Sequence, residues 1–182
     1  MATTKWIIDP THSELTFKIK HLMISNVTGY FSDFSVEADT KNDDFSTATI
    51  KAVIKMDSIQ TKNSQRDHHL RTSDFFEAEK YPEAIFESTK ITKLDDENYR
   101  VDGNLTLKGV TKPTSLNVEY GHVAKDPWGG ERAGFVISGK IKRTDFGVSV
   151  NTVLETGGLA LSDEVKINSE LQLVKQTEAV VA

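Results

Sequence analysis

The chain has 182 residues, 37% of them hydrophobic, no cysteine and a formal net charge of -5. That length fits one domain able to bury roughly 70% of the surface its unfolded chain exposes, without help from a disulfide or a metal. The lack of cysteine excludes a disulfide framework, a thiolate zinc site and a cysteine nucleophile, and the acidic balance argues against nucleic acid as a partner.

Met1 to Lys5 carries no charged stretch leading into an apolar one, so no secretory signal is read there. No run approaches the roughly 20 apolar residues of a membrane helix. The chain as written reads as cytoplasmic, and one trimmed of its signal would read the same apart from Met1.

In chain order the predicted elements are strands. Leu15, Phe17 and Ile19 alternate with Thr16, Lys18 and Lys20. Ala48, Ile50, Ala52, Ile54 and Met56 alternate with Thr49, Lys51, Val53, Lys55 and Asp57. Tyr99, Val101, Gly103, Leu105 and Leu107 do the same against Arg100, Asp102, Asn104, Thr106 and Lys108. Leu116, Val118 and Tyr120 follow, then Phe135, Ile137 and Ile141, then Val165, Ile167, Leu171 and Leu173. Period-2 alternation with one apolar and one polar face marks antiparallel strands wetted on one side. The expected limits are 6–9, 14–21, 28–39, 47–58, 84–93, 98–108, 114–124, 132–143 and 164–174, with the short first run extending its neighbour. Turns are expected at Lys108 to Pro113 and at Asp126 to Gly130, where glycine and proline cluster.

One segment breaks the alternation. Asn63 to Phe76 reads as one or two short helical turns across a barrel end, with Asn63 as the cap. About eight two-sided strands with so little helix give an all-β fold, an antiparallel barrel or a sandwich. Residues 1–176 form the single domain, and 177–182 a flexible tail.

An eight-stranded barrel is either filled by its own side chains or just wide enough for one small ligand. Small residues at inward positions, Ala48, Ala52, Gly103, Ala133 and Gly139, would leave room. An ordinary core with glycines relieving barrel strain accounts for the same pattern.

Catalytic constellations are weak. His12 and His21 are nine residues apart, which places them on opposite faces of a strand. His68 and His69 diverge on a helix, so no metal site is expected. Asp67 beside His68 and His69 could serve as a general acid–base group, or simply as a hydrogen-bonded helix surface. No Gly-x-Ser-x-Gly elbow is present. Arg66 and Arg143 could hold an anionic head group at a cavity mouth. Equally, Arg66 could pair with Asp67 or Asp74, and Arg143 with Asp145, to pin loops.

Several ordered blocks resemble the YceI-like proteins. They are Asp9-Pro10-Thr11-His12-Ser13, His21-Leu22 and Val27-Thr28-Gly29-Tyr30-Phe31, then Ser58-Ile59-Gln60-Thr61, Arg66-Asp67-His68-His69-Leu70 and Ser73-Asp74-Phe75-Phe76. Tyr81-Pro82, Gly103 to Pro113, Arg143-Thr144-Asp145-Phe146-Gly147 and Leu161 to Val165 complete the series. The resemblance implies a lipocalin-like, eight-stranded antiparallel barrel that binds polyisoprenoid or similar long-chain lipids inside. It also implies a homodimer and no catalytic site or cofactor, in a family with many exported members. With it, a hollow interior becomes the expectation. Wall candidates are Phe17, Ile19, Leu22, Phe31, Phe34, Ile54, Met56, Phe75, Phe76, Phe86, Phe135, Ile137 and Phe146, with Arg66, His69 and Arg143 at the mouth. The rival expectations are an enzyme using Asp67, His68 or His69, and a protein-interaction module.

Overall fold

A computed structural model describes residues 3–22, 24–149 and 161–176. The expected tail, 177–182, lies outside the described residues. The strands are β1 (Thr3–Ile8), β2 (Glu14–His21), β3 (Ser25–Phe31), β4 (Phe34–Lys41), β5 (Asp44–Lys55) and β6 (Ile59–Gln60). After the helix α1 (Ser64–Leu70) come β7 (Glu83–Lys93), β8 (Asn98–Leu107), β9 (Val110–Lys125), β10 (Glu131–Lys142) and β11 (Leu161–Lys175).

Every pairing is antiparallel, and β1 pairs with β11 to close the sheet into a barrel. Its eight staves include three interrupted ones. β1 and β2 pair with opposite ends of β11, so they form one broken stave. β3 pairs with β2 and β4 with β1, giving the second; β5 against β4 and β6 against β3 give the third. The short first run therefore does extend its neighbour. The run expected as one strand over 28–39 breaks at Ser32 and Asp33, whose backbone groups bond instead to Ser58 and Lys55 of the third stave.

The β8–β9 turn is tighter than expected. Only Lys108 and Gly109 form it, both with positive φ (50° and 76°), and Leu107 already faces Val110. Two left-handed residues match the twist of a two-residue hairpin, so pairing resumes before Pro113, which lies inside β9 opposite Asn104. The β9–β10 turn is as expected: Asp126 accepts hydrogen bonds from the amides of Trp128 and Gly130.

The core has two parts. At one end Trp6, Ile8, Val36, Ala38, Phe45, Ala133, Leu171 and Leu173 fill the barrel. Phe45 stands at the centre of this plug, its ring 5.0 Å from Trp6, 5.4 Å from Tyr120 and 5.0 Å from Phe135. The second cluster, including Met56, Ala84, Phe86, Val101, Leu105 and Leu107, belongs to the other half. That half is hollow.

Candidate functional site

A cavity of about 510 Å³ occupies the half of the barrel beyond the aromatic plug. Alternation decides its wall: inward positions of each stave contribute apolar side chains. Phe17 and Ile19 come from β2, Phe31 from β3, Phe34 from β4, Ile54 from β5 and Met56 from the turn after it. Phe86 of β7 and Ile137 of β10 continue the wall, and Phe75 and Phe76 close over it from the segment after α1.

Three of the expected wall residues stand elsewhere. Leu22 lies in the β2–β3 turn with φ +53° and faces solvent. Phe135 belongs to the plug, stacked on Tyr120 at 5.4 Å. Phe146 is buried behind the wall in the second core cluster and borders a separate shallow groove. Ring size marked Phe135 and Phe146 as candidates, and the His21-Leu22 block marked Leu22. Their position along the barrel axis, which alternation does not encode, separates them from the rest.

The wall also includes residues that size alone did not single out: Val101, Leu105 and Leu107 of β8, Leu116 and Val118 of β9, and Val165 and Ile167 of β11. Each sits on an apolar face of the alternating runs, which is the signal that finds it. Glycines shape the lumen differently from the expectation. They do not leave empty space themselves. Gly103 lies under the Phe86 ring, with a Cβ there falling 2.5 Å from Cζ, and Gly139 lies under Leu116, 2.6 Å from Cδ2. Large side chains thus lie flat on the wall. Ala133 belongs to the plug, not the lumen.

Polar groups gather at the end framed by α1 and by the 3-10 turn Arg143–Phe146. Asn63 caps α1, accepting a hydrogen bond from the Arg66 amide, as expected. Asp67 is buried, and one of its oxygens accepts from both the amide and the hydroxyl of Thr61. Thr61 in turn accepts two bonds from the Arg66 guanidinium, one on its hydroxyl and one on its carbonyl. The expected pairings of Arg66 with Asp67 or Asp74 do not form, because Thr61 stands between Arg66 and Asp67. Asp74 accepts instead from His69, Nε2 to Oδ2 at 2.8 Å. Asp67 and His69 therefore face different partners and do not pair with each other.

Arg143 is buried and points at backbone carbonyls, not at Asp145: Nε donates to Ser162 (2.9 Å) and Nη1 to Val148 (2.7 Å). Burial pushes its guanidinium pKa down, partly opposed by the negative charge of Asp163. Among the described residues no cluster of three or more His, Asp or Glu could hold a metal ion, and no helix is long and apolar enough to cross a membrane.

The YceI-like domain family model matches residues 6–173. This chain belongs to the YceI-like family. A UPF0312 protein of Staphylococcus aureus strain N315 is 39% identical over 170 residues, covering 93% of this chain and 96% of that one. Another, from Staphylococcus epidermidis, is 41% identical over the same shares. Among solved structures, a Campylobacter jejuni YceI protein is 40% identical with a TM-score of 0.75, over 88% of this chain and 91% of the other. A polyisoprenoid-binding domain from Saccharophagus degradans shares the fold alone, at 19% identity and a TM-score of 0.65, over 94% of this chain and 98% of that one. The YceI-like barrel, with one short α-helix among the described residues, is thus the architecture of this chain, and an apolar cavity is its central feature.

Proposed function

We propose that the protein binds one long-chain apolar lipid, polyisoprenoid or fatty-acyl, inside its barrel and stores or carries it unchanged. The apolar cavity of about 510 Å³ is the observation that carries this reading. Its size falls within the roughly 300–1,000 Å³ of small-molecule sites. Each methylene enclosed contributes about 0.8 kcal/mol, so a dozen contribute roughly 10 kcal/mol, enough to offset a typical association cost. A solved neighbour of the same fold is a polyisoprenoid-binding domain, which supports the ligand class.

Extraction of the purified protein with organic solvent, followed by mass spectrometry, tests the reading. A long-chain lipid near one per barrel is expected. No extracted lipid, together with no uptake of a fluorescent isoprenoid, overturns it. We also propose that the working form is a homodimer, which the family resemblance supports. Light scattering should then give twice the chain mass.

A further inference from the structure

The outer face of the barrel is electrically lopsided where β2, β11 and β10 run side by side. Lys18 stands directly opposite Lys166, and Lys166 directly opposite Lys140. Lys20 and Lys142 lie two residues further on in β2 and β10, towards the end framed by the Arg143–Phe146 turn. All five are exposed. Lys140 has a carboxylate partner, Glu164 at 3.8 Å, whereas Lys18, Lys20, Lys142 and Lys166 form no ion pair among the described residues. Asp163 feels the charge of Lys142 but is hydrogen-bonded to Thr144. Two rows nearer the plug the sign reverses: Glu14 faces Glu170, and Glu170 and Glu119 flank Val136. Like charges directly opposite on neighbouring strands destabilise a sheet. Folding therefore gives no reason for a row of three lysines in a chain of net charge -5.

The turn joining β2 to β3 completes this surface. His21 at its foot lines the cavity and pairs with Leu161, another lining residue. Beyond it Leu22 is exposed, and Ile24 is 81% exposed. An apolar tip thus stands at the edge of the cavity, on the same hairpin as Lys18 and Lys20.

We propose that this end of the barrel docks on an anionic lipid bilayer, the lysines meeting the head groups and Leu22 and Ile24 entering the acyl boundary. The proposal rests on the lipid-binding reading and adds where the lipid is taken from. Lysines attract an anionic surface without demanding a fixed geometry, and an apolar tip beside them is the pairing that holds a protein at the interface. A cavity edge pressed against the bilayer also spares a long chain its passage through water.

Co-sedimentation with sucrose-loaded vesicles tests this. Vesicles of phosphatidylglycerol and phosphatidylcholine in equal parts should bind about tenfold more tightly than pure phosphatidylcholine. Salt at about 1 M, where the Debye length is about 3 Å, should erase the difference. Each lysine near the surface is worth about fivefold, so K18Q/K166Q should weaken binding at least about tenfold. Its Tm should hold or rise, because a like-charge row is relieved. E14Q/E170Q, in the acidic row, should not weaken binding. I24D should weaken binding and slow transfer of a fluorescent isoprenoid from vesicles, yet take up the same probe from ethanol normally, since Ile24 does not line the cavity. Equal binding to both vesicle types, or undiminished binding by K18Q/K166Q, overturns the docking proposal and leaves lipid binding standing. The vesicle comparison needs no variant, so it decides the matter even if a variant folds poorly. Failure of the unsubstituted protein to take up the probe from ethanol would instead remove the lipid-binding reading.

Discussion

The ring of Phe17 on β2 lies across Gly29, its directly opposed partner on β3, so closely that a Cβ at position 29 would collide with the ring. Phe86 over Gly103 and Leu116 over Gly139 repeat the arrangement on other staves. Three absent side chains let three large ones lie along the wall, and the lumen between them stays open.

Gly29→Ala should therefore turn the Phe17 ring into the lumen. Overpacking of this kind costs about 1–3 kcal/mol. Lipid uptake should fall while the barrel still folds, because the displaced atoms belong to the free end of a side chain. Urea melts and isoprenoid titrations on the same samples check it. Undiminished uptake would mean the ring has another place to go.

Filling the lumen directly should separate binding from stability. Ala52 lines the cavity on β5, opposite Phe86 on β7. Ala52→Phe should abolish lipid uptake with the melting temperature of the lipid-free protein changed little. In the unsubstituted protein, lipid at a hundred times its Kd should add about 2.7 kcal/mol of stability, and removal of bound lipid should lower the Tm accordingly. A52F should show no such response. Thermal scans with and without added lipid read both effects.

The plug should behave as an ordinary core. Phe45 is 6% exposed and touches the rings of Trp6, Tyr120 and Phe135. Phe45→Ala removes the central ring and should cost about 3–5 kcal/mol, measured by denaturant unfolding. A cost below about 1 kcal/mol would show that the plug collapses around the vacancy.

Acid should loosen the link between the break in the first stave and the β9–β10 turn. Asp9 accepts hydrogen bonds from Thr11, His12 and Arg132, and Arg132 also bonds to Asp126. The Thr11 hydroxyl, then His12 and Arg132, hold the Asp9 carboxyl far below its ordinary value of 3.8. A depressed folded-state pKa stabilises fully above that ordinary value, and the contribution disappears as the pH falls towards the folded-state value. Asp9→Asn should thus destabilise by roughly 1–3 kcal/mol near neutrality. The gap from the unsubstituted protein should narrow as the pH drops below 3.8. Urea midpoints across that range provide the measurement, and a gap that widens in acid would contradict the sign.

Asp67 should prove structural. Asp67→Ala strips the buried Thr61 amide and hydroxyl of their acceptor, which should cost roughly 1–3 kcal/mol. His68→Ala, on the exposed side of α1, should cost less than about 0.5 kcal/mol. Hydrolase activity that disappears in both variants would revive the enzyme reading.

The alternating runs in the sequence were enough to read an all-β barrel or sandwich and its apolar faces; the resemblance to the YceI-like proteins pointed to a hollow barrel, and Asn63 was legible as a cap where the alternation breaks. A side chain's inward or outward direction follows from its parity along a strand, and parity is local. Phe17, Phe31, Phe34 and Phe86 line the cavity for that reason. The Asp67–Thr61–Arg66 chain had no such signal, since a threonine six residues before an aspartate is unremarkable until the strand–helix turn brings them to 2.8 Å.

What the sequence determined by itself was the set of side chains available to face inward. Only the tertiary structure decided which of them pack solid and which surround empty space. Phe45 and Phe135 face inward as Phe17 and Phe86 do, yet they meet as a plug, while the latter lie back against Gly29 and Gly103. Packing depends on what stands across the barrel axis, and that is set by the register of eight staves at once, not by any one of them.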